Sequence, residues 1–265
     1  MINILYEDAS IIVVWKPVGM ESQSSRGFAA DMVSEIQKHI HSTSTGTCGK
    51  ASDIHSRPAN IHNKSTKPAP PYVGVIHRLD KPVSGVMVYA KDKNAAAALS
   101  RQVQDHKIQK KYLAVLCGKP VDNVENYVDY LLKDEKANVS RIVDKAVEGA
   151  KRAELSVRVL ECETEVEREL TLVEVTLKTG RHHQIRVQMA GHGTPIWGDN
   201  RYNPAFGGTG AVRPQRGDVA LAAYQLSFAH PVTGKQMTFT KVPDGVIFRR
   251  FQWIRAKREE NPVKS

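Results

Sequence analysis

Cysteine is scarce in this 265-residue chain, and its three copies, Cys48, Cys117 and Cys162, stand far apart. An odd, dispersed set excludes a disulfide framework and offers no paired-cysteine zinc site. Long hydrophobic runs are missing too: no apolar stretch approaches the roughly 20 residues that span a bilayer. The opening residues, Met1 to Asp8, lack the basic start, apolar stretch and small-residue cleavage site of a leader, so a cytoplasmic protein is expected. No glycine-rich loop follows the first strand and no internal repeat occurs, which argues against a nucleotide cofactor. Acidic residues are also outnumbered. Against 28 Asp and Glu stand 38 Lys and Arg, a formal net charge of +10. An excess of that size suits a polyanionic partner, nucleic acid above all.

What is there reads as one α+β domain over residues 1–250, with short helices and a mixed, mainly antiparallel sheet. Ile2, Ile4 and Tyr6 alternate, residues 7–10 turn, and Ile11 to Val14 form a β-branched strand. Lys16-Pro17-Val18-Gly19 then breaks the strand, either as an ordinary turn or as a place for a phosphate beside Lys16. Ala29, Val33, Ile36 and Ile40 fall at helical spacing. Residues 41–71, rich in Ser, Thr, His and Pro, read as a flexible insertion. The irregular spacing of His39, His41, Cys48, His55 and His62 argues against a metal site. Asp92 is placed to cap a helix from Lys93, and Tyr112 to Leu116 read as a strand. Residues 121–150 read as irregular connections with short strands. Two alternating runs, Leu155 to Val159 and Val173 to Leu177, predict a hairpin. Ile185 and Met189 suit a short helix ended by Gly191, which sets Arg181 and Arg186 near a helix start, where anions are favoured. Residues 251–265 read as a basic tail, either a solvated helix end or a segment that touches RNA.

The stretch that organises the chain is His77-Arg78-Leu79-Asp80, followed by Lys81-Pro82-Val83-Ser84-Gly85. It lies between apolar runs at residues 73–76 and 86–90. A basic residue and a carboxylate on a Pro/Gly-bounded loop between strands is the layout of a reactive site. Pro82 fixes its own backbone and restricts Lys81, so Asp80 is expected in one geometry.

Four ordered segments, spread over residues 2–250, resemble the RluA family of pseudouridine synthases. They are Tyr6-Glu7-Asp8 through Gly19, His77 through Gly85, Lys110-Lys111-Tyr112-Leu113-Ala114, and Thr179-Gly180-Arg181 with His183-Gln184-Ile185-Arg186. Gly198-Asp199 with Tyr202, and Phe228 with His230-Pro231, also fit. The chain departs from the family at Val83, where Thr is usual, and at His182, Gln188 and Ala222, where Thr, His and His are common. The small N-terminal RNA-binding domain of many relatives is not expected here.

That resemblance implies a pseudouridine synthase fold, a curved sheet whose central cleft isomerises uridine in ribosomal or transfer RNA. The base is detached, rotated and rejoined through C5, a reaction needing no cofactor and no metal. By resemblance, Asp80 is the catalytic carboxylate, Arg186 its counter-ion and Tyr112 the group that takes the C5 proton. Lys107, Lys110 and Lys111 are possible sources of the positive charge such a tyrosine needs. Arg78 resembles the side chain that enters the stack when a nucleotide is flipped out. His77, Lys16, Arg181 and Ile185 complete the residues expected at the RNA, Ile185 as an apolar floor. The expected particle is a monomer. Rival readings are a catalytically idle RNA-binding or ribosome-assembly protein, a base-releasing glycosylase, and a kinase. The kinase reading fails because Leu79 separates Arg78 from Asp80 and no Asp-Phe-Gly occurs.

Overall fold

The β-branched run Ile11 to Val14 is buried without exception, because strand β2 (Ile11–Lys16) is covered on both faces and flanked on both edges. β1 (Asn3–Glu7) pairs with it antiparallel on one side and β4 (Ser84–Ala90) on the other. The computed structural model describes residues 2–24, 30–45, 69–120, 126–165, 168–207 and 217–260. Its further strands are β3 (Gly74–Val75), β5 (Gln109–Cys117), β6 (Asn126–Asp134), β7 (Val139–Val143), β8 (Lys151–Glu165), β9 (Arg168–Leu177), β10 (Leu221–Ala229) and β11 (Gln236–Thr240). They form one sheet in the order β1-β2-β4-β10-β5-β9-β8-β6-β7, with β11 on β10 and β3 on β4. Every described pairing is antiparallel except β4 with β10, where Ser84 meets Ala222 and Gly85 meets Ala223. The mixed, mainly antiparallel sheet is thus as expected.

At that parallel join Gly85 is obligatory. Its φ is +150°, and a Cβ there would lie 2.5 Å from the Cβ of Ala223. Only glycine lets the strand leaving the Asp80 loop approach β10 so closely.

Four α-helices among the described residues lie beside the sheet. Helix α1 (Met32–Thr45) starts later than the spacing predicts because Asp31 caps it: its Oδ1 accepts the Ser34 N–H at 2.7 Å, and Ser34 Oγ accepts the Asp31 N–H at 3.0 Å. The helix continues into residues 41–45, which the sequence assigns to a flexible insertion; Cys48, His55 and His62 lie outside the described residues. Asp92 caps α2 (Lys93–Gln104) as expected, and Ala95 and Leu99 are buried. Helix α3 is Gln184–Gly191. The short strands expected in residues 121–150 are β6 and β7, which form a regular hairpin that packs on α3. The described part of the basic segment after residue 250 takes the helical form, packed against the sheet. It folds as α4 (Gln252–Glu260), buries Ile254 and, just before it, Phe251, and has its first N–H groups accepted by the Glu161 carboxylate at 3.0 and 2.8 Å. No helix among the described residues is long and apolar enough to cross a membrane.

The turn between β1 and β2 is pinned by Asp8. Partial burial works against its charge, but the Ile11 and Ser10 N–H groups, the Tyr6 hydroxyl and His230 donate to it and hold its pKa near about 2. The native state therefore binds fewer protons than the unfolded chain between about pH 4 and pH 2. Stability from this carboxylate is full above its ordinary value and is lost as pH falls through the folded value. After allowance for solvent screening it amounts to about 1–2 kcal/mol. Urea titrations at pH 6 and pH 2.5 should show Asp8→Ala clearly destabilising at the first and by only about a third as much at the second.

Candidate active site

The loop carrying Asp80 is clamped from both sides of that residue by the segment after β2. Ser22 Oγ accepts the Leu79 N–H at 3.0 Å and donates to the Leu79 carbonyl at 2.9 Å. The Lys81 carbonyl accepts the Gly19 N–H at 2.9 Å and Lys16 Nζ at 3.2 Å. Inside the loop, Val83 N–H closes a turn onto the Asp80 carbonyl at 3.0 Å, as expected of a residue after a proline-restricted pair. Asp80 is thereby fixed in backbone while its side chain stays about a third exposed.

Lys16 does not wait for a phosphate. It is fully buried, and besides the Lys81 carbonyl its Nζ donates to those of Met20 at 2.6 Å and Pro17 at 3.1 Å. Burial draws its pKa down to about 8, with the charge of Asp80 partly offsetting this. A lysine whose three donors are all used is a strut under the loop. His77 is also withdrawn from any RNA: its ring is buried and Nε2 accepts the Val88 N–H at 3.3 Å. Burial, then the nearby Lys110, keeps it neutral, so its proton sits on Nδ1. Arg78 points the other way in exposure and makes no hydrogen bond or ion pair with any described residue. Arg181 is exposed as well, its Nε donating to the Arg152 carbonyl at 2.9 Å.

From α3, Arg186 reaches Asp80, with Nη1 3.5 Å from Oδ2. Its main partner is Asp199, which sequence reasoning quoted but gave no role. Nε and Nη2 bind the two Asp199 oxygens at 2.7 and 2.8 Å, and both residues are buried. Asp199 also accepts the Arg201 and Tyr202 N–H groups at 3.0 and 3.3 Å. Burial opposes the Arg186 charge, but Asp199 and then Asp80 keep it protonated. Gly198 allows the turn: its φ is +76°, and a Cβ would lie 2.1 Å from the Asp218 carbonyl oxygen.

The site thus holds two carboxylates in contrasting states. Asp199 is saturated; Asp80 is touched at long range by Arg186 and by His183, whose Nε2 is 3.7 Å from Oδ2. Tyr112 is buried on β5, and burial followed by the Asp80 charge pushes its phenol well above the ordinary tyrosine range. The lysines do not lower it. Lys111 turns to the opposite face and pairs with Glu174 at 3.4 Å, and Lys107 pairs with Asp105. Ile185 is buried beside Arg186.

Residues 10–191 match the RNA pseudouridylate synthase family. The chain belongs to this family. Ribosomal large subunit pseudouridine synthase D of Zymomonas mobilis is 31% identical over 243 residues, covering 90% of this chain and 68% of that protein. The synthase D of Neisseria meningitidis serogroup A is 32% identical over 256 residues, 92% of this chain and 59% of its own length. Synthase C of Salmonella typhimurium is 31% identical over 261 residues, 95% and 70%. This chain therefore spans roughly three fifths to seven tenths of the curated relatives it matches. The structure of human RNA pseudouridylate synthase domain containing 1 shares the fold, with a TM-score of 0.66 over 92% of this chain and 84% of that one at 20% identity.

The chain's departures from its family are accommodated locally. Val83 is buried in the core under the loop, and Ala222 lies at the β4–β10 join. Gln188 donates to Asp129 on β6 at 2.7 Å, and His182 Nδ1 lies 2.9 Å from Ser140 Oγ on β7. Two of the four thus tie α3 to the β6–β7 hairpin.

Proposed function

We propose that this synthase converts uridine to pseudouridine in structured ribosomal RNA, with Asp80 as the reacting carboxylate. The observation that carries this is the pairing of a loosely held Asp80 with an Arg186 already committed to Asp199. A carboxylate locked in a bidentate pair could not leave it for a sugar carbon; one with donors at 3.5 and 3.7 Å can. Glycosidic cleavage builds positive character on the ribose, which a nearby carboxylate stabilises or captures. Uracil then turns within the site and C5 bonds to the sugar.

The last step removes the C5 proton. A protonated phenol takes it only by passing its own proton on. Asp80, whose charge already acts on Tyr112, is the acceptor in this reading. Arg78 is the side chain placed to enter the stack when the nucleotide flips, a step costing a few kcal/mol, roughly. Its exposure supports that role, and Arg181 adds salt-sensitive phosphate attraction. Ile185 lies at the floor of the base site. The protein works as a monomer in this scheme. Ribosomal RNA is preferred over transfer RNA because the named bacterial relatives are ribosomal large subunit synthases.

Ribosomal RNA carrying C5-tritiated uridine tests the reading. Tritium should appear in water, pseudouridine in the RNA, and activity should persist in EDTA. Free uracil in solution would instead mark a glycosylase, and RNA binding without tritium release an idle binding module. In the same assay Tyr112→Phe should slow release by about 100-fold or more, the range of a lost general base. Undiminished release would remove Tyr112 from the step.

A further inference from the structure

The scheme above uses His183 only as a distant neighbour of Asp80, yet its imidazole is gripped on several sides. Its Nδ1 lies 2.8 Å from the Tyr202 hydroxyl, and its ring stacks on His182 with centroids 3.7 Å apart. Nε2 is 3.7 Å from Asp80 Oδ2. The backbone is left-handed, with φ +54°, a conformation that a non-glycine residue keeps only when its surroundings insist on it.

The hydrogen bonds decide which nitrogen carries the proton. The Tyr202 hydroxyl accepts the backbone N–H of Ser140 on β7 at 2.8 Å. Among the described residues His183 Nδ1 is the other partner of that hydroxyl, so the hydroxyl's own proton goes to Nδ1, which can accept only when unprotonated. Burial, then the charges of Arg186, His182, Arg201 and Lys133, hold the His183 pKa down to about 3, so the ring is neutral. A neutral imidazole that accepts at Nδ1 carries hydrogen on Nε2. That is the nitrogen facing Asp80.

We infer that His183 is a positioning residue for Asp80: a neutral Nε2–H donor, locked in one tautomer by Tyr202 and Ser140, that orients the carboxylate without neutralising it. The inference rests on Asp80 being the reacting carboxylate. Its logic is the difference between a charge and a dipole. A second full cation at this distance would compete with the developing charge on the sugar for Asp80. An uncharged N–H sets direction at little cost in reactivity. The relay reaches from Asp80 through His183 and Tyr202 to the β6–β7 hairpin, and His182 reinforces it by bonding Ser140 Oγ at 2.9 Å while stacking on His183.

Two substitutions separate donor from scaffold. His183→Asn keeps a polar group near the former Nδ1 and suits a left-handed backbone, but presents no donor toward Asp80. His183→Gln places an amide nitrogen near the former Nε2. On tritiated ribosomal RNA, His183→Asn should lower kcat by about 10- to 100-fold with KM within twofold, the scale of a misplaced reacting group. His183→Gln should recover to within about threefold of wild type. Nitrogen-15 NMR of the full chain should show the Nε2–H tautomer of His183, and Tyr202→Phe should release it into a mixture while lowering kcat. If His183→Asn unfolds, Tyr202→Phe supplies the kinetic comparison alone. Wild-type kcat in His183→Asn, glutamine no better than asparagine, or an Nδ1–H tautomer would each overturn the inference. Asp80→Asn run alongside keeps the two readings apart. An inactive wild type indicts the reaction, whereas an active wild type, dead Asp80→Asn and unaffected His183→Asn indict His183 alone.

Discussion

Asparagine at position 80 should lower pseudouridine formation by about 10⁴-fold or more, the scale on which losing a covalent or charge-stabilising group acts. The amide keeps the shape of the carboxylate and the backbone clamp from Ser22, Gly19 and Lys16, so the loop should stay where it is. It removes the charge proposed to meet the positive character developing on ribose. Affinity for ribosomal RNA, measured by filter binding, should change by less than a few-fold, because Arg78 and Arg181, the cations proposed to meet RNA, are exposed and left untouched. Thermal stability should hold or rise slightly. Asp80 is a second negative charge near Asp199, and its two donors stand too far off to repay its presence in full. Tritium release from Asp80→Asn near the wild-type rate would end the assignment of this residue.

Asp199→Ala should be the most destabilising single change at the site, about 3–5 kcal/mol by urea denaturation, since it strands a buried guanidinium. The freed Arg186 then has one carboxylate within reach, Asp80, and closing the 3.5 Å gap into a full ion pair would hold that carboxylate back from the sugar. Activity should drop by about 100-fold even at temperatures where the variant is folded. The double variant Asp199→Ala/Arg186→Met separates the two effects. Removing both partners of a buried pair is milder than removing one, so stability should partly return while activity does not. A stable, active Asp199→Ala would show that Arg186 needs no anchor.

Much of the fold is legible from local pattern. The β-branched run at residues 11–14, the Asp92 cap and the alternating strands that became β8 and β9 each state their structure within a few residues. The β6–β7 hairpin does not, because its strands mix Asp, Tyr, Leu and Lys on a sheet edge and gain their order from packing on α3. The C-terminal helix reads as a basic tail because only Phe251 and Ile254 reveal its buried side. In the site, the ordered motifs bring Asp80, Tyr112 and Arg186 together by resemblance. The supports are hidden for a physical reason. A lysine near a Pro-Gly turn reads as a surface cation until the fold wraps three carbonyls around Lys16. Ser22, Asp199 and the proton on His183 depend on partners that only tertiary structure supplies.

The two-residue join between β4 and β10 sets a schedule for the whole molecule. Ser84 and Ala222 meet across more than half the chain, and the loop they close contains Tyr112, Arg186 and Asp199. During synthesis from the N-terminus, the Ser84–Gly85 end of β4 must therefore wait for its β10 partner, while its far end already pairs with β3. The strand carrying Tyr112 pairs with β10 as well as β9, so it too is incomplete until then. Closing so long a loop is slow, and contacts of this separation form late. A nascent chain would thus carry the Asp80 loop early and gather Tyr112, Arg186 and Asp199 around it only after β10 has emerged.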